Sequence, residues 1–508
     1  MTTGEAEVIT DPKCGDTINT SVILTGDLKN STGGIICPGN GLTIGAHNIV
    51  LDCDNHIIEG KGSGKGVYNE GYDGITVKNC IIDNYLSGIG IYFTLGSKNG
   101  LIVGNKIFNA STGIYVQIQS NYTTVSNNYI SGSNWGIVNE YSDHNLVMNN
   151  VLSKNTDDGI LVFSADNVTV FNNTANENYI GFELSRSQRI TLANNSATSN
   201  NIAVQLSDSN NNFLRDNYAT SNNWGIYLIG SSNNLIDNNS LNSNSDGITL
   251  IFLSNNNTIV NNIAHSNDNG VYVLNSSNNT ISNNIASFNS FGYYISSSLN
   301  HLEKNIADAN GIGIYIAFPN NIIRGNIAKR NDIGIFVLSS GNVFENNIAN
   351  AGDTGIELSA SNSNNLTNNT GNNNFRHGIR IRNSNDNILI SNTFCSNNRT
   401  GGAFYDIYHN STSNSGSENI CQTSLNWNDS ATTGCTYLCI EKFLCGDMTV
   451  DGKVGLNDII YLVNYLFKGG PEPNPLSTGD VNKDGKVNLS DIIYLVNFIF
   501  KGGPKPCA

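Results

Sequence analysis

The sequence predicts an all-β parallel β-helix of about 15 coils of ~22 residues, followed by a small α-helical module of two loop-helix repeats. Three observations predict it. A glycine followed by an apolar, free, apolar triplet recurs through the middle of the chain, two asparagine columns keep phase with it, and the tail carries a duplicated frame of oxygen-bearing side chains.

The glycine column runs Gly66, Gly88, Gly113, Gly136, Gly159, Gly181 and onward to Gly378, with Ala203 in the one vacant place, over 312 residues and 14 intervals. One asparagine column runs from Asn150 to Asn392; the other follows five residues behind, from Asn155 to Asn397, broken at Gly352. Each period holds short β-branched runs such as Gly270-Val-Tyr-Val and Thr280-Ile-Ser between Asn, Ser and Gly turns, and no helical pattern. A single coil of this length cannot bury its own apolar face. Coils stacked ~4.8 Å apart form parallel sheets around a continuous core, giving a rod of about 70 Å.

In such a stack the glycines read as turn residues. The ladder asparagines donate and accept along the axis and tolerate the left-handed backbone of tight turns. The open ends of the sheets need covering, and Cys14 to Cys53 and Cys395 to Cys439 are the expected caps. The domain division is therefore an N-terminal cap over 1–55, repeats over 56–400, a disulfide-rich cap and linker over 401–444, and the loop-helix module over 445–508.

Composition excludes two classes of function. A net charge of -15 with no basic stripe argues against nucleic acid, which needs clustered Lys and Arg. No apolar run approaches the ~18 residues that cross a bilayer as a helix. Ten cysteines in two terminal groups, with no pair of CxxC motifs, read as disulfides and so as an extracellular or cell-surface location. Asn-x-Ser/Thr acceptors such as Asn121, Asn167, Asn256 and Asn410 agree with export. The opening Met1-Thr-Thr-Gly-Glu does not read as a secretion leader.

The runs Cys14-Gly-Asp-Thr-Ile, Gly41-Leu-Thr-Ile-Gly and Leu51-Asp-Cys-Asp-Asn-His-Ile-Ile resemble the start of extracellular right-handed β-helix proteins of the carbohydrate-binding and sugar-hydrolase repeat class. The repeats also resemble those of the copper-loading periplasmic accessory proteins of nitrous oxide reductase. The likeness covers about 400 residues and implies architecture more than activity.

The middle residue of each triplet should point outward. Along the axis that column reads Tyr115, Val138, Leu161, Glu183, Gln205, Tyr227, Thr249, Tyr272, Tyr294, Tyr315, Phe336, Glu357 and Arg380. Its rings either gain ~0.2–1 kcal/mol each from neighbours on adjacent strands, or form a sugar-binding face of Tyr227, Tyr272, Tyr294, Tyr315 and Phe336 for a polysaccharide or glycoprotein glycan.

Enzymatic alternatives stay open. A glycoside hydrolase needs two carboxyls about a bond, and Asp157, Asp158, Glu183, Asp246, Asp332, Asp353 and Glu357 are scattered over the coils. A lyase would use an acidic calcium cluster and a basic residue, for which Asp353, Glu357 and Arg380, with Arg376 and Arg382, are the nearest approach. Copper delivery, which the second resemblance would imply, finds only Met1, Met148, Met448 and seven dispersed histidines.

In the tail, Asp480, Asn482, Asp484, Asn488 and Asp491 supply loop positions 1, 3, 5, 9 and 12, the Lys486 carbonyl position 7, and Gly485 the bend at 6. Thirty-three residues earlier Asp447, Thr449, Asp451, the Lys453 carbonyl and Asp458 repeat the frame, with Thr449 and Gly455 as poorer positions. The expectation is one strong and one weaker Ca²⁺ site. Each loop runs into Asp-Ile-Ile-Tyr-Leu-Val-Asn and ends at Lys-Gly-Gly-Pro; Ile459, Leu462, Val463 and Leu466, with Ile492, Leu495, Val496 and Ile499, fall at helical spacing.

These duplicated units resemble a type I dockerin over about Cys445 to Cys507. The resemblance implies docking on a cohesin of a scaffold or surface protein, through Leu456, Asn457 and Asn464 or, on the second face, Leu489, Ser490 and Asn497. A Cys445–Cys507 disulfide clasping the module's ends is expected as well.

Overall fold

In the computed structural model the chain divides into two compact units, one ending at Leu438 and the other beginning at Cys439. The structure describes residues 12–439, 444–449, 451–473 and 476–507, so the opening Met1-Thr-Thr-Gly-Glu lies outside the described residues.

The first unit is a parallel β-helix with three sheets. The first has 19 strands, the second 18 and the third 15, the third resuming as the pair Thr393–Phe394 and Ile420–Cys421. A typical turn is Thr258–Val260, Ile263–His265 and Asn269–Leu274. Each strand pairs in parallel with its equivalent on the next turn, as Ile259 with Ile281 and Tyr272 with Tyr294. There are about 17 turns rather than 15, because pairing reaches into the segments expected as caps: Thr17–Ile18 pairs with Leu42–Ile44, and Ile407–His409 with Ser424–Leu425.

Alternation places Ile248, Val271, Tyr293 and Ile314 of the first sheet in the core, facing Ile259, Ile281 and Leu302 of the second. The third sheet contributes small residues, Ala264, Ala286, Ala307 and Ala328. The reason lies in the glycine column, which is not a column of turn residues as expected. Gly247, Gly270 and Gly292 sit inside strands without left-handed backbone. A Cβ on Gly270 would stand 2.5 Å from the Gly292 carbonyl oxygen and 2.7 Å from the Ala286 methyl. They are glycine because successive turns approach too closely for a side chain. Near the N-terminal end the column passes through Gly90 rather than Gly88, since a Cβ on Gly90 would meet the Gly113 carbonyl at 2.5 Å. An irregular register between Tyr85 and Ile89 shifts the phase there.

The asparagine columns are buried ladders. Asn262 Nδ2 donates to Asn284 Oδ1 (3.0 Å) and also to the Ile236 carbonyl (2.8 Å). The ladder asparagines themselves do not take the left-handed turn. That conformation belongs to the residue before each, as in Asn261 (φ 57°), Asn283 (φ 54°) and Lys304 (φ 53°). A further ladder, from Asn212 through Asn234, Asn257, Asn279 and Asn300 and on to Asn414, joins the second sheet's edge to the turn after the first sheet. Disulfides Cys14–Cys37, Cys53–Cys80 and Cys421–Cys435 lie toward the two ends, and all ten cysteines are bonded.

The second unit holds α1 (Leu456–Lys468) and α2 (Leu489–Lys501). Asp458 and Asp491, at the third helical position, each accept the N–H of the residue before the helix, Gly455 and Asn488 (2.8 and 2.9 Å). Left-handed Gly469 and Gly502 end the helices. Ile459, Leu462, Ile492 and Leu495 bury against Met448 and Val481, with Val463, Leu466, Val496 and Ile499 packed at the margin. Cys445 and Cys507 are bonded, as expected.

Candidate functional site

The outward column of the first sheet is in register along its whole length. Tyr227 pairs with Thr249, Thr249 with Tyr272, Tyr294 with Tyr315, Phe336 with Glu357 and Glu357 with Arg380. Tyr272, Tyr294, Tyr315 and Phe336 form one continuous row with ring centroids 4.5–5.7 Å apart. Tyr227 stands apart beyond Thr249 and packs on Trp224 at 5.6 Å. Tyr68 and Tyr92 extend the row past Tyr115, with centroid spacings of 5.6 and 5.2 Å. Tyr92 was missed because the phase was set on Gly88 rather than on Gly90-Ile-Tyr; Tyr68 follows Gly66 in phase but lies before Tyr115, where the expected column began.

A second outward column lies beside this one at the residue preceding each glycine. Trp224 beside Tyr227, Phe291 beside Tyr294 (5.1 Å), and Asp246 accepting from the Thr249 hydroxyl (3.1 Å) show that the two share a face. Between Tyr115 and Tyr227 the first column holds no ring, only Val138, Leu161, Glu183 and Gln205. The missing rings leave a depression of about 220 Å³ lined by Tyr115, Trp135, Val138, Glu140, Leu161 and Phe163.

Carboxyl groups gather at that gap. Asp158, 2 % exposed, lies beside Leu161, and its Oδ1 has no hydrogen-bond partner in the protein. Burial, with the charges of Glu183 and Asp157, pushes its carboxyl well above the usual aspartate range. Burial raises Glu183 too, opposed by the Gln205 amide that donates to Oε1 (3.2 Å) and reinforced by Asp157; Asp157 is raised by burial. Asp246 is also raised by burial, against hydrogen bonds from Asn269 and Thr249.

The cluster singled out from the sequence is arranged differently. Glu357 is 3 % exposed and ion-paired to both Arg380 (3.6 Å) and Arg382, while Asp353 pairs with Arg376 (3.2 Å). Both carboxylates are thus ion-paired, while Arg382 keeps a buried Nε without a partner. Glu357 is therefore buried rather than exposed as its place in the outward column suggested.

In the second unit Asp447, Asp451 and Asp458 present carboxylate oxygens within 4.8 Å of one another, which among the described residues is the one group of three or more acidic, His or Cys side chains so close. It belongs to the loop expected to be weaker. The Asp447 carboxylate accepts the N–H groups of Asp451 and Gly452 (3.0 and 2.8 Å), and Asp480 likewise those of Asp484 and Gly485 (3.0 and 2.9 Å). Gly452 and Gly485 both have φ 83°. In the first loop Thr449 turns its hydroxyl to Asp458 (2.8 Å), and in the second Asn482 Nδ2 donates to Ser490 Oγ (2.8 Å). Hard oxygen donors wound about a sharp glycine bend fit calcium. The Asn488 amide oxygen, expected at position 9 of the second loop, accepts the Ser490 N–H at 2.8 Å and so caps α2.

The family model described as periplasmic copper-binding protein (NosD) matches residues 47–224, 205–318 and 317–442. The chain belongs to the NosD family. A second model, the dockerin type I domain, matches residues 445–500. No curated protein matches this NosD-family chain. Similar solved structures include the catalytic domain of a GH87 α-1,3-glucanase, at 15% identity and TM-score 0.39, covering 55% of this chain and 63% of the glucanase. Others are an exopolygalacturonase from Thermotoga maritima (13% identity, 51% and 72% covered, TM-score 0.31) and the tailspike of E. coli bacteriophage HK620 (14%, 70% and 69%, TM-score 0.39). The chain thus spans less than two thirds of the glucanase structure's length.

Among the described residues of this NosD-family chain, no set of soft or imidazole donors fits copper. Its cysteines are all in disulfides, Met448 is buried in the second unit's core, and Met148 stands on a strand of the second sheet. His377 is enclosed by Phe404 and Tyr408, with burial lowering it to about 4, and His409 packs on Trp427.

The dockerin domain implies assembly through a cohesin. Of the residues named for that contact, Leu456, Asn457 and Leu489 are exposed, and Asn464, Ser490 and Asn497 half-exposed. Ile460 and Phe467 on α1, with Ile493 and Phe500 on α2, are exposed as well and duplicate one another. Their spacing from Leu456 and Leu489, four and eleven residues, was the signal available in the sequence.

Proposed function

We propose that this protein is an extracellular glycan-binding β-helix, held to a cohesin-bearing scaffold or surface protein by its calcium-loaded dockerin domain. The observation that carries the glycan reading is the unbroken register of the outward column. It lays Tyr272, Tyr294, Tyr315 and Phe336 on one face at the spacing of successive turns. Flat rings in a row offer apolar surface to the faces of successive sugars, while the flanking carboxyls and amides meet hydroxyls. Each calcium loop takes one ion. The division at 1–55, 56–400, 401–444 and 445–508 is retained as the division of roles.

Affinity electrophoresis of the full chain in gels cast with neutral and acidic polysaccharides, in calcium, tests the reading. A Tyr272→Ala, Tyr294→Ala, Tyr315→Ala variant should lose most of its retardation while keeping its thermal midpoint within a few degrees. Equal retardation of variant and parent would overturn it.

A further inference from the structure

The hollow in the outer face of the first sheet is assembled by three consecutive turns. Tyr115 pairs with Val138 and Val138 with Leu161 along one outward column, and Gln117, Glu140 and Phe163 pair in the same order along the next. Val138 and Leu161 stand where other turns carry rings, so they form a low aliphatic floor between Tyr115, Trp135 and Phe163. At about 220 Å³ the space is smaller than the ~300–1,000 Å³ pockets that enclose whole small molecules, and it suits one unit of a longer chain. Tyr68, Tyr92 and Tyr115 stack toward it, with ring centroids 5.6 and 5.2 Å apart and interplanar angles of 18° and 25°. A chain laid on these three rings arrives at the hollow.

One charged group enters a lining that is otherwise apolar but for the Thr112 hydroxyl. Glu140 Oε2 accepts from the Tyr115 hydroxyl and from Gln117 Nε2 (2.6 Å), and Gln117 Oε1 accepts from the Tyr92 hydroxyl. Two donors thus hold the carboxylate in place from one side. Among the described residues none donates to its Oε1.

We propose that this depression is the subsite of the glycan face that selects a 2-acetamido sugar, with the acetyl methyl on Val138, Leu161 and Phe163 and the amide N–H donating to Glu140 Oε1. The inference rests on the glycan-binding reading above and adds the class of sugar. The acetamido group divides as the lining does, into a methyl that gains from leaving water and a polarised N–H that a fixed carboxylate accepts. A hexose with a hydroxyl at that carbon would bury it against Val138 and Leu161, neither of which can hydrogen-bond, at a cost in affinity. A uronate would bring its charge up to that of Glu140. A free amino sugar would pair its cation with Glu140 but bring nothing to the floor.

Isothermal calorimetry of the full chain compares chitohexaose with cellohexaose, chains of one linkage that carry acetamido or hydroxyl at C2. Chitohexaose should bind at least ~10-fold more tightly. Leu161→Tyr fills the hollow with the side chain that Tyr115 and Tyr227 carry in the same column, so the fold should keep it, and the two affinities should come within ~2-fold of each other. Glu140→Gln should weaken chitohexaose by about fivefold or more and leave cellohexaose unchanged. Retardation in gels cast with mucin, lost in Leu161→Tyr, would support the same subsite for a glycoprotein glycan rather than a homopolymer. Equal affinity for the two hexamers, or a preference that survives in Leu161→Tyr, overturns this inference and leaves the glycan reading standing. So does failure of both hexamers and of mucin where a polysaccharide without acetamido groups still retards the chain. Tighter binding of the glucosamine hexamer than of chitohexaose would make Glu140 a cation site and overturns it too. No binding of any hexamer, polysaccharide or mucin overturns the reading beneath it.

Discussion

The backbone N–H of Asn262 donates to Oδ1 of Asn284, one turn further along, at 2.9 Å, and Asn284 passes the contact on to Asn305 at 3.0 Å. Each rung thus closes the backbone of one turn with the side chain of the next.

Cutting one rung should cost more than its hydrogen bonds alone. Asn284→Ala strands the Asn262 N–H and removes the donor to the Ile259 carbonyl, so we expect a loss of ~2–4 kcal/mol. The exposed neighbour Asn283, at φ 54°, should accept Gly within ~0.5 kcal/mol. Urea denaturation followed by tyrosine fluorescence compares the two, and equal losses would show that burial of the rung is irrelevant.

Asp158→Asn should stabilise the protein, and only at the higher pH. The folded chain keeps Asp158 protonated over a range where the unfolded chain has released the proton. Stability therefore falls as pH rises from the ordinary aspartate value toward the displaced one, by ~1.4 kcal/mol per unit. Asparagine has no such loss. Thermal midpoints of variant and parent should coincide near pH 4 and separate by pH 7; a constant difference would count against a buried, protonated Asp158.

Either dockerin face should suffice for the cohesin. Leu456, Ile460 and Phe467 repeat as Leu489, Ile493 and Phe500 with like exposure. Changing Ile460 and Phe467 to Ser, or Ile493 and Phe500 to Ser, should weaken cohesin binding only about twofold, by loss of one of two equivalent modes. Altering both faces should abolish it. Isothermal calorimetry in calcium distinguishes this from a single face, for which one pair alone would carry the whole loss.

The Cys445–Cys507 bond closes 62 residues. Removing it with Cys445→Ser and Cys507→Ser should cost the second unit ~4 kcal/mol through the entropy of its unfolded chain. Far-UV circular dichroism at the helical band measures this, and an unchanged helix midpoint would refute it.

The repeat, the outward column and the calcium frames were legible because each depends on a short period visible in one chain. Asn150 and Asn155 announce their ladders in that way. The role of the glycines was not, since Gly270 is required by a carbonyl 22 residues away rather than by its own φ. Nor was the unpartnered Asp158 Oδ1, because Asp158 shares its burial with Asp406, Asp429 and Asp458 and differs from them in having no hydrogen bond, a property set by the side chains that neighbouring turns place around it. Glu357 lost its expected exposure for a like reason, because Arg382 reaches back over it from the next turn.

Because the glycine column admits nothing but the next turn's backbone, length in this protein changes in whole quanta. Excising one complete turn, such as 203–224, keeps every ladder and every inward residue in step and shortens the spacing between Glu183 and Tyr227 by ~4.8 Å. A deletion inside a strand shifts its inward residues out of phase, whereas the connections, across which successive rungs stand 21 to 27 residues apart, absorb changes of a few residues. The stack of strands therefore behaves as a ruler with fixed graduations, on which the distance between Glu183 and the first ring beyond it is set by counting turns.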